Sequence, residues 1–148
     1  MSASITIRPL APEDHADWRR LWNAYLEFYE TEKPEEVYET TWKRLMDADV
    51  DPKGFIALND EGQAVGIVHY LFHVSAWLVG PTCYIQDLYV DGNVRGGGVG
   101  RKLMETVYKA ADEAGAESVY WMTQHFNETA RKLYDRIGTL TPFIKYAR

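Results

Sequence analysis

A chain of 148 residues suits one domain, large enough to bury roughly 70% of its unfolded surface around a single core. Its formal net charge of −6 excludes the basic face that broad nucleic-acid binding needs, and no apolar run approaches the roughly 18 residues that span a bilayer. The one cysteine, Cys83, excludes an internal disulfide, and the polar start at residues 1–4 lacks a signal pattern, so a cytoplasmic protein held by packing alone is expected.

Residues 4–8 alternate like a short first strand. Pro12, followed by Glu13 and Asp14, starts a helix with carboxylates at its positive end. Trp18, Leu21, Trp22, Tyr25, Leu26 and Tyr29 recur at helical spacing, which gives this helix an aromatic face that belongs mostly to the core. Pro34 with Glu35 and Glu36 opens a second helix, with Tyr38, Thr41, Trp42, Leu45 and Met46 on its buried face. Residues 54–59 and 63–74 read as two strands of an antiparallel hairpin joined by a tight turn at 59–62.

After Gly80 and Pro81 comes an apolar strand over 84–90 and then a glycine-rich run, Val94 to Arg101. A helix follows, with Val99, Leu103, Val107, Ala110, Ala111 and Ala114 on one face and Gly115 at its end. Residues 118–123 form a further strand. Asn127 caps a last helix whose apolar face is Ala130, Leu133, Tyr134 and Ile137, with Gly138 beyond it, and residues 141–146 supply the last strand. The order is β-α-α-β-β-β-α-β-α-β, without repeats or linkers.

A strand, a glycine-rich turn and a helix start together make a phosphate site. Glycines bring backbone N–H groups close to a ligand, and the first helical turn offers unpaired donors and partial positive charge. A Walker A loop is excluded because Gly100 is followed by Arg101, Lys102 and Leu103, with no hydroxyl for magnesium. The dinucleotide fingerprint fails in every register, and it belongs after the first strand of a domain.

The run does fit R-x-x-G-x-G, with Arg95, Gly98 and Gly100 as its fixed positions. Together with the strand Tyr-Ile-Gln-Asp-Leu-Tyr-Val at 84–90 and the segment Asn-Glu-Thr-Ala-Arg-Lys-Leu-Tyr at 127–134, closed by Ile137 and Gly138, it resembles the GNAT superfamily of N-acetyltransferases. The matching segments cover residues 82–146, and the resemblance is to the small-amine (polyamine) and histone acetyltransferase-like branch. It implies an α/β (α+β) fold with a mixed, mostly antiparallel sheet of about six or seven strands flanked by four helices. It also implies acetyl-CoA as cofactor, with pantetheine entering like an added strand where the sheet splays before residues 118–123. The backbone near Leu88, Tyr89 and Val90 would pair with it, and Arg95, Gly96, Gly97, Gly98, Val99, Gly100 and Arg101 would hold the pyrophosphate.

Acetyl transfer to an amine needs a neutral nucleophile, a polarised carbonyl and a proton for the departing thiolate. By the resemblance, Tyr134 is the acid, a backbone N–H at 87–88 beside a strand bulge polarises the carbonyl, and Asn127 and Ala130 contact the cofactor, although helix capping also accounts for Asn127. Polyamine acetyltransferases carry glutamate where this chain has Gln86, which cannot be a base. Asp87 is retained and can act through water, or serve in substrate binding or structure.

His69 and His73, four apart on a strand, are too far from each other for a metal pair. Cys83 reads as a small buried apolar group instead of a nucleophile, and His125 is an alternative base. On the acceptor side, Glu27 and Glu30 with Tyr29 and Gln86 suit a cationic substrate, since carboxylates and aromatic faces both attract cations. A polyamine, an amino acid or a protein lysine is expected, with no nucleic-acid or membrane partner, and exposed strand edges point to a homodimer. The rival reading is a sensor that binds acyl-CoA without turnover.

Overall fold

The computed structural model describes residues 4–94 and 97–148. Arg95 and Gly96 of the glycine run lie outside the described residues. One sheet, in the order β1-β2-β3-β4-β5, is built from β1 (Thr6–Pro9), β2 (Lys53–Leu58), β3 (Ala64–His73), β4 (Thr82–Val90) and β5 (Ser118–Trp121). The first four strands pair antiparallel, and β5 joins β4 in parallel. A parallel neighbour requires a crossover, and α3 (Val99–Glu113) supplies it.

Helices α1 (His15–Phe28) and α2 (Glu35–Leu45) cover one face of the sheet, while α3 and α4 (Glu128–Ile137) cover the other. The aromatic stripe of α1 does enter the core: Trp18 and Leu21 are fully buried, with Trp22, Leu26 and Tyr38 packed beside them on Ile56 and Ile67. On the opposite face Leu103, Met104 and Val107 of α3 lie against Val68, Tyr70, Cys83 and Ile85. Full burial of each such side chain contributes roughly 1.5–3 kcal/mol. The start at Pro12 is a 3-10 turn, Pro12–Asp14, in which buried Asp14 takes two hydrogen bonds from Arg8, at 2.6 and 2.8 Å, and one from the Ala11 N–H. The Arg8 guanidinium first, and the Ala11 N–H after it, hold the Asp14 carboxyl below its ordinary range.

One feature departs from expectation. The sheet has five strands among the described residues, and residues 141–146 form none. Phe143, Ile144 and Tyr146 are 75%, 76% and 88% exposed, so neither apolar burial nor a neighbouring strand fixes this segment. The strand bulge expected beside residues 87–88 is present. His69 pairs with Asp87 and Tyr70 with Ile85, so Gln86 is an extra residue in β4. Such a bulge reverses the side-chain phase of everything beyond it. Ile85 faces α3, whereas Asp87, which a regular strand would place on the same side, turns to α1.

Candidate active site

The pairing of β4 with β5 runs from Thr82–Ser118 to Ile85–Trp121 and stops there, while β4 continues to Val90. The sheet therefore opens at the bulge. The cleft at this opening is lined by Tyr25 and Tyr29 from α1, Ile85, Gln86 and Leu88 from β4, Met104 from α3, Trp121 and Met122 at the end of β5, and Tyr134 from α4. A broader hollow lined by His15, Glu39, Trp42, Lys43, Met46, Asp47 and Ala48 has no residue from β4, α3 or α4 and is a surface depression beside α2.

Three hydroxyls converge on the cleft. Tyr134 packs edge-on against Trp121, with ring centroids 5.6 Å apart, and Gly138 closes the helix behind it with an N–H bond to the Tyr134 carbonyl. No side chain fits at Gly138, because a Cβ would come within 2.7 Å of the Trp121 ring. Burial, with Tyr29 adding to it, pushes the Tyr134 hydroxyl up to about 12. The Tyr25 and Tyr29 hydroxyls are also raised, by burial first and by the Asp87 charge second; Tyr25 in addition hydrogen-bonds to that carboxylate. All three keep their protons at neutral pH and can donate.

Asp87 lies behind Tyr25 and is mostly buried. Its Oδ2 is 2.8 Å from Nδ1 of His69, which is only 1% exposed. Nε2 of His69 accepts a hydrogen bond from the Trp18 indole N–H at 2.9 Å. The sequence expectation for Asp87 thus acquires two partners it lacked, Tyr25 and His69. Their signal in the sequence was the position of His69 on the strand paired with β4, and the bulge had to be known before it could be used. His73 instead bonds to the Tyr120 hydroxyl and the Val74 carbonyl, at 2.8 and 2.9 Å. Cys83 is fully buried, and burial pushes its thiol up to about 11, which leaves it a poor nucleophile.

The turn expected to bind the cofactor's phosphates leads into α3. Gly98 stands at its N-cap with φ +80, the left-handed region that favours glycine, and Lys102 is the first residue whose N–H reaches back to the Gly98 carbonyl, at 3.0 Å. The N–H groups of Val99, Gly100 and Arg101 therefore lack helical acceptors and sit at the positive end of the dipole. Gly97 and Gly98 are exposed, the Val99 side chain is buried in the core, and Arg101 pairs loosely with Glu105 at 3.7 Å. Gly100 lies against Leu133, Val90 and Leu88, so this turn adjoins both β4 and α4. The alternation of β4 sends Leu88 and Val90 to the α3 face and Tyr89 to the α1 face. Open N–H donors, a left-handed glycine and an adjoining splayed strand fit a pyrophosphate followed by an extended chain.

Asn127 is the N-cap of α4: its side chain accepts from the Ala130 N–H at 3.4 Å and donates to Thr123 at 3.5 Å. Both bonds are long. Glu27 and Glu30 are exposed at the end of α1 and do not line the cleft; Glu27 accepts a bond from Asn23.

Known proteins agree with this geometry. A sequence profile of the acetyltransferase (GNAT) family matches residues 18–139. The chain is 41% identical to the D-amino-acid N-acetyltransferase HPA3 of Saccharomyces cerevisiae over 145 residues, which cover 97% of this chain and 90% of that protein. It is 28% identical to the thialysine N-epsilon-acetyltransferase of Caenorhabditis elegans over 137 residues, 90% of this chain and 79% of that one. In fold it is similar to the aminoglycoside N-acetyltransferase AAC(6')-Iy in complex with CoA, with a TM-score of 0.85 at 19% identity, covering 100% of this chain and 96% of that chain. The profile spans the α1 stripe, the bulged strand, the glycine turn and α4, and so the chain belongs to the acetyltransferase (GNAT) family, as an N-acetyltransferase that uses acetyl-CoA.

Proposed function

We propose that this enzyme acetylates the amino group of a free amino acid or a similarly small amine. The observation that carries this reading is the placement of Asp87 behind Tyr25, at the same opening of the sheet that Tyr134 enters from α4. The relatives named for D-amino acids and for thialysine, an amino acid, support the acceptor class.

Acetyl-CoA supplies the activated acetyl group. The α3 N-terminus with Gly97 to Arg101 would hold its phosphates, the Leu88 to Val90 backbone would flank its extended arm, and Asn127 and Ala130 would border it from α4. A protonated amine of lysine type, near pKa 10.4, needs about 4–5 kcal/mol to lose its proton at pH 7, so an acceptor for that proton is required. Asp87 takes this role through the Tyr25 hydroxyl: as Tyr25 Oη receives a proton from the cleft, it passes its own to Asp87 Oδ. Tyr134 Oη holds the proton given to the leaving group. Tyr29 and Gln86 shape the acceptor side, while Glu27 and Glu30 at its outer rim attract cations. Gln86 itself is exposed and cannot accept the proton.

A cytoplasmic homodimer is part of the same reading. Its support is the reduced, buried Cys83 and the exposed apolar groups of the last ten residues. The test of function is thiol release from acetyl-CoA across a panel of D- and L-amino acids, polyamines and a lysine peptide. Amino acids should be turned over fastest. Turnover confined to the lysine peptide would reject the acceptor assignment, and binding of acetyl-CoA with no release for any amine would reject the acid and base roles.

A further inference from the structure

Directly behind the cleft, two buried side chains that the reaction as described does not use, Trp18 and His69, form a row with Asp87. Trp18 Nε1 donates to His69 Nε2 at 2.9 Å, and His69 Nδ1 meets Asp87 Oδ2 at 2.8 Å. Trp18 is 0% and His69 1% exposed, so both ring nitrogens of His69 are shielded from solvent. An indole N–H can only donate, and Nε2 must therefore present its lone pair. The ring proton of neutral His69 then sits on Nδ1, pointing at Asp87. The bulge at Gln86 is what turns the Asp87 carboxylate to this face, directly across from His69 in the β3–β4 register.

We infer that His69, fixed in its Nδ1–H tautomer by Trp18, is the positioning residue that aims the Asp87 carboxylate at Tyr25. This rests on the role proposed for Asp87 and deepens it. With one oxygen tied to His69, Asp87 cannot rotate freely, and its lone pairs stay directed at the Tyr25 hydroxyl. Other groups around Asp87 are Tyr29 on α1 and Tyr84 on β4, whose hydroxyls also feel its charge. None of them is placed to do what His69 does from β3. Trp22, the neighbouring indole on α1, is buried too, but its Nε1 has no hydrogen-bond partner among the described residues, so it serves as a packing control.

The test combines imidazole nitrogen NMR at pH 7 with steady-state kinetics. In the parent protein the His69 proton should be found on Nδ1, and Trp18→Phe, which frees the Nε2 lone pair, should shift the Nε2 resonance toward that of a ring nitrogen without a hydrogen bond, whereas Trp22→Phe should not. His69→Leu should lower kcat by roughly 10-fold or more with the KM for acetyl-CoA little changed, and His69→Asn, which keeps an N–H near the Nδ1 position, should recover most of the loss. An Nε2–H tautomer in the parent protein overturns the inference, as does parental kcat in a folded His69→Leu. If His69→Leu fails to fold, Trp18→Phe decides the kinetic question: its kcat must fall below that of Trp22→Phe, and equal rates overturn the proposal. Asp87→Asn separates the two levels, because parental activity in that variant rejects the role of Asp87 itself, whatever the tautomer of His69.

Discussion

Tyr134 joins the packing of α4 to the chemistry of the cleft, since its ring rests on Trp121 while its hydroxyl lines the opening. Tyr134→Phe keeps the ring contact and removes only the proton. Fold and acetyl-CoA binding should survive, and the rate should fall by roughly 10- to 10⁴-fold, the scale of lost general-acid help. Parental turnover where chemistry limits would pass the acid role to water or another donor. The same burial has a consequence for stability. Below about 9 for the Cys83 thiol and about 10 for the Tyr70 and Tyr134 hydroxyls, folded and unfolded chains both hold these protons. Above those values the unfolded chain releases them, while the folded one keeps them until about 11 for the thiol and about 12 for the hydroxyls. Stability should be fully present on the low side of this window and be lost as pH climbs from 9 to 12. Urea midpoints measured across that range test it, and a flat profile would show that these groups are hydrated in the folded state.

At the scale of elements, the turn into α3 separates two glycines that look equivalent in the sequence. Gly98 has φ +80 with open space where a Cβ would go, so Gly98→Ala should destabilise through backbone strain alone, by about 1–2 kcal/mol. Gly100 is helical, and a Cβ there meets only ordinary contacts at 3.7–4.0 Å, so Gly100→Ala should hold or raise stability by up to about 1 kcal/mol. A bulky residue at either position should abolish the rise in melting temperature that acetyl-CoA gives, an effect ATP and NAD should not reproduce. Melting curves with each ligand decide this, and an unchanged acetyl-CoA shift would remove the turn from the site. These helices, the hairpin and the glycine turn into α3 were legible because periodicity and glycine placement are local signals. A bulge beside residues 87–88 was implied by the family resemblance, but its position at Gln86 was not legible, since an extra residue in a strand shows only in register against its partner. With the phase of β4 unknown beyond Ile85, Asp87 could not be set opposite His69, nor Tyr25 be taken out of the core stripe of α1. The segment at 141–146 failed for the converse reason: its alternation is that of a strand, but pairing depends on a neighbour that the sequence does not specify.

For the whole molecule, the unresolved balance lies at the β5 side of the sheet. This strand has four residues and stands at the edge, and the chain after α4 leaves Leu140, Phe143, Ile144 and Tyr146 73–88% exposed. The connection between β3 and β4 adds Val74, Trp77 and Val79, which are 81–103% exposed. Single exposed apolar residues are ordinary, but seven large ones in two segments are what a protein interface presents. Covering each recovers roughly 1.5–3 kcal/mol, and a handful outweighs the several kcal/mol lost in association. A second copy of the chain offers the same surface to itself through a twofold axis, so the proposed homodimer closes without leaving a free patch. Sedimentation at micromolar concentration should show a species of twice 17.0 kDa, and the double variant Phe143→Ser with Ile144→Ser should shift it to monomer while leaving the melting of the sheet core cooperative. A 17.0 kDa species for the parent chain across that range would reject the dimer and leave these side chains to another partner.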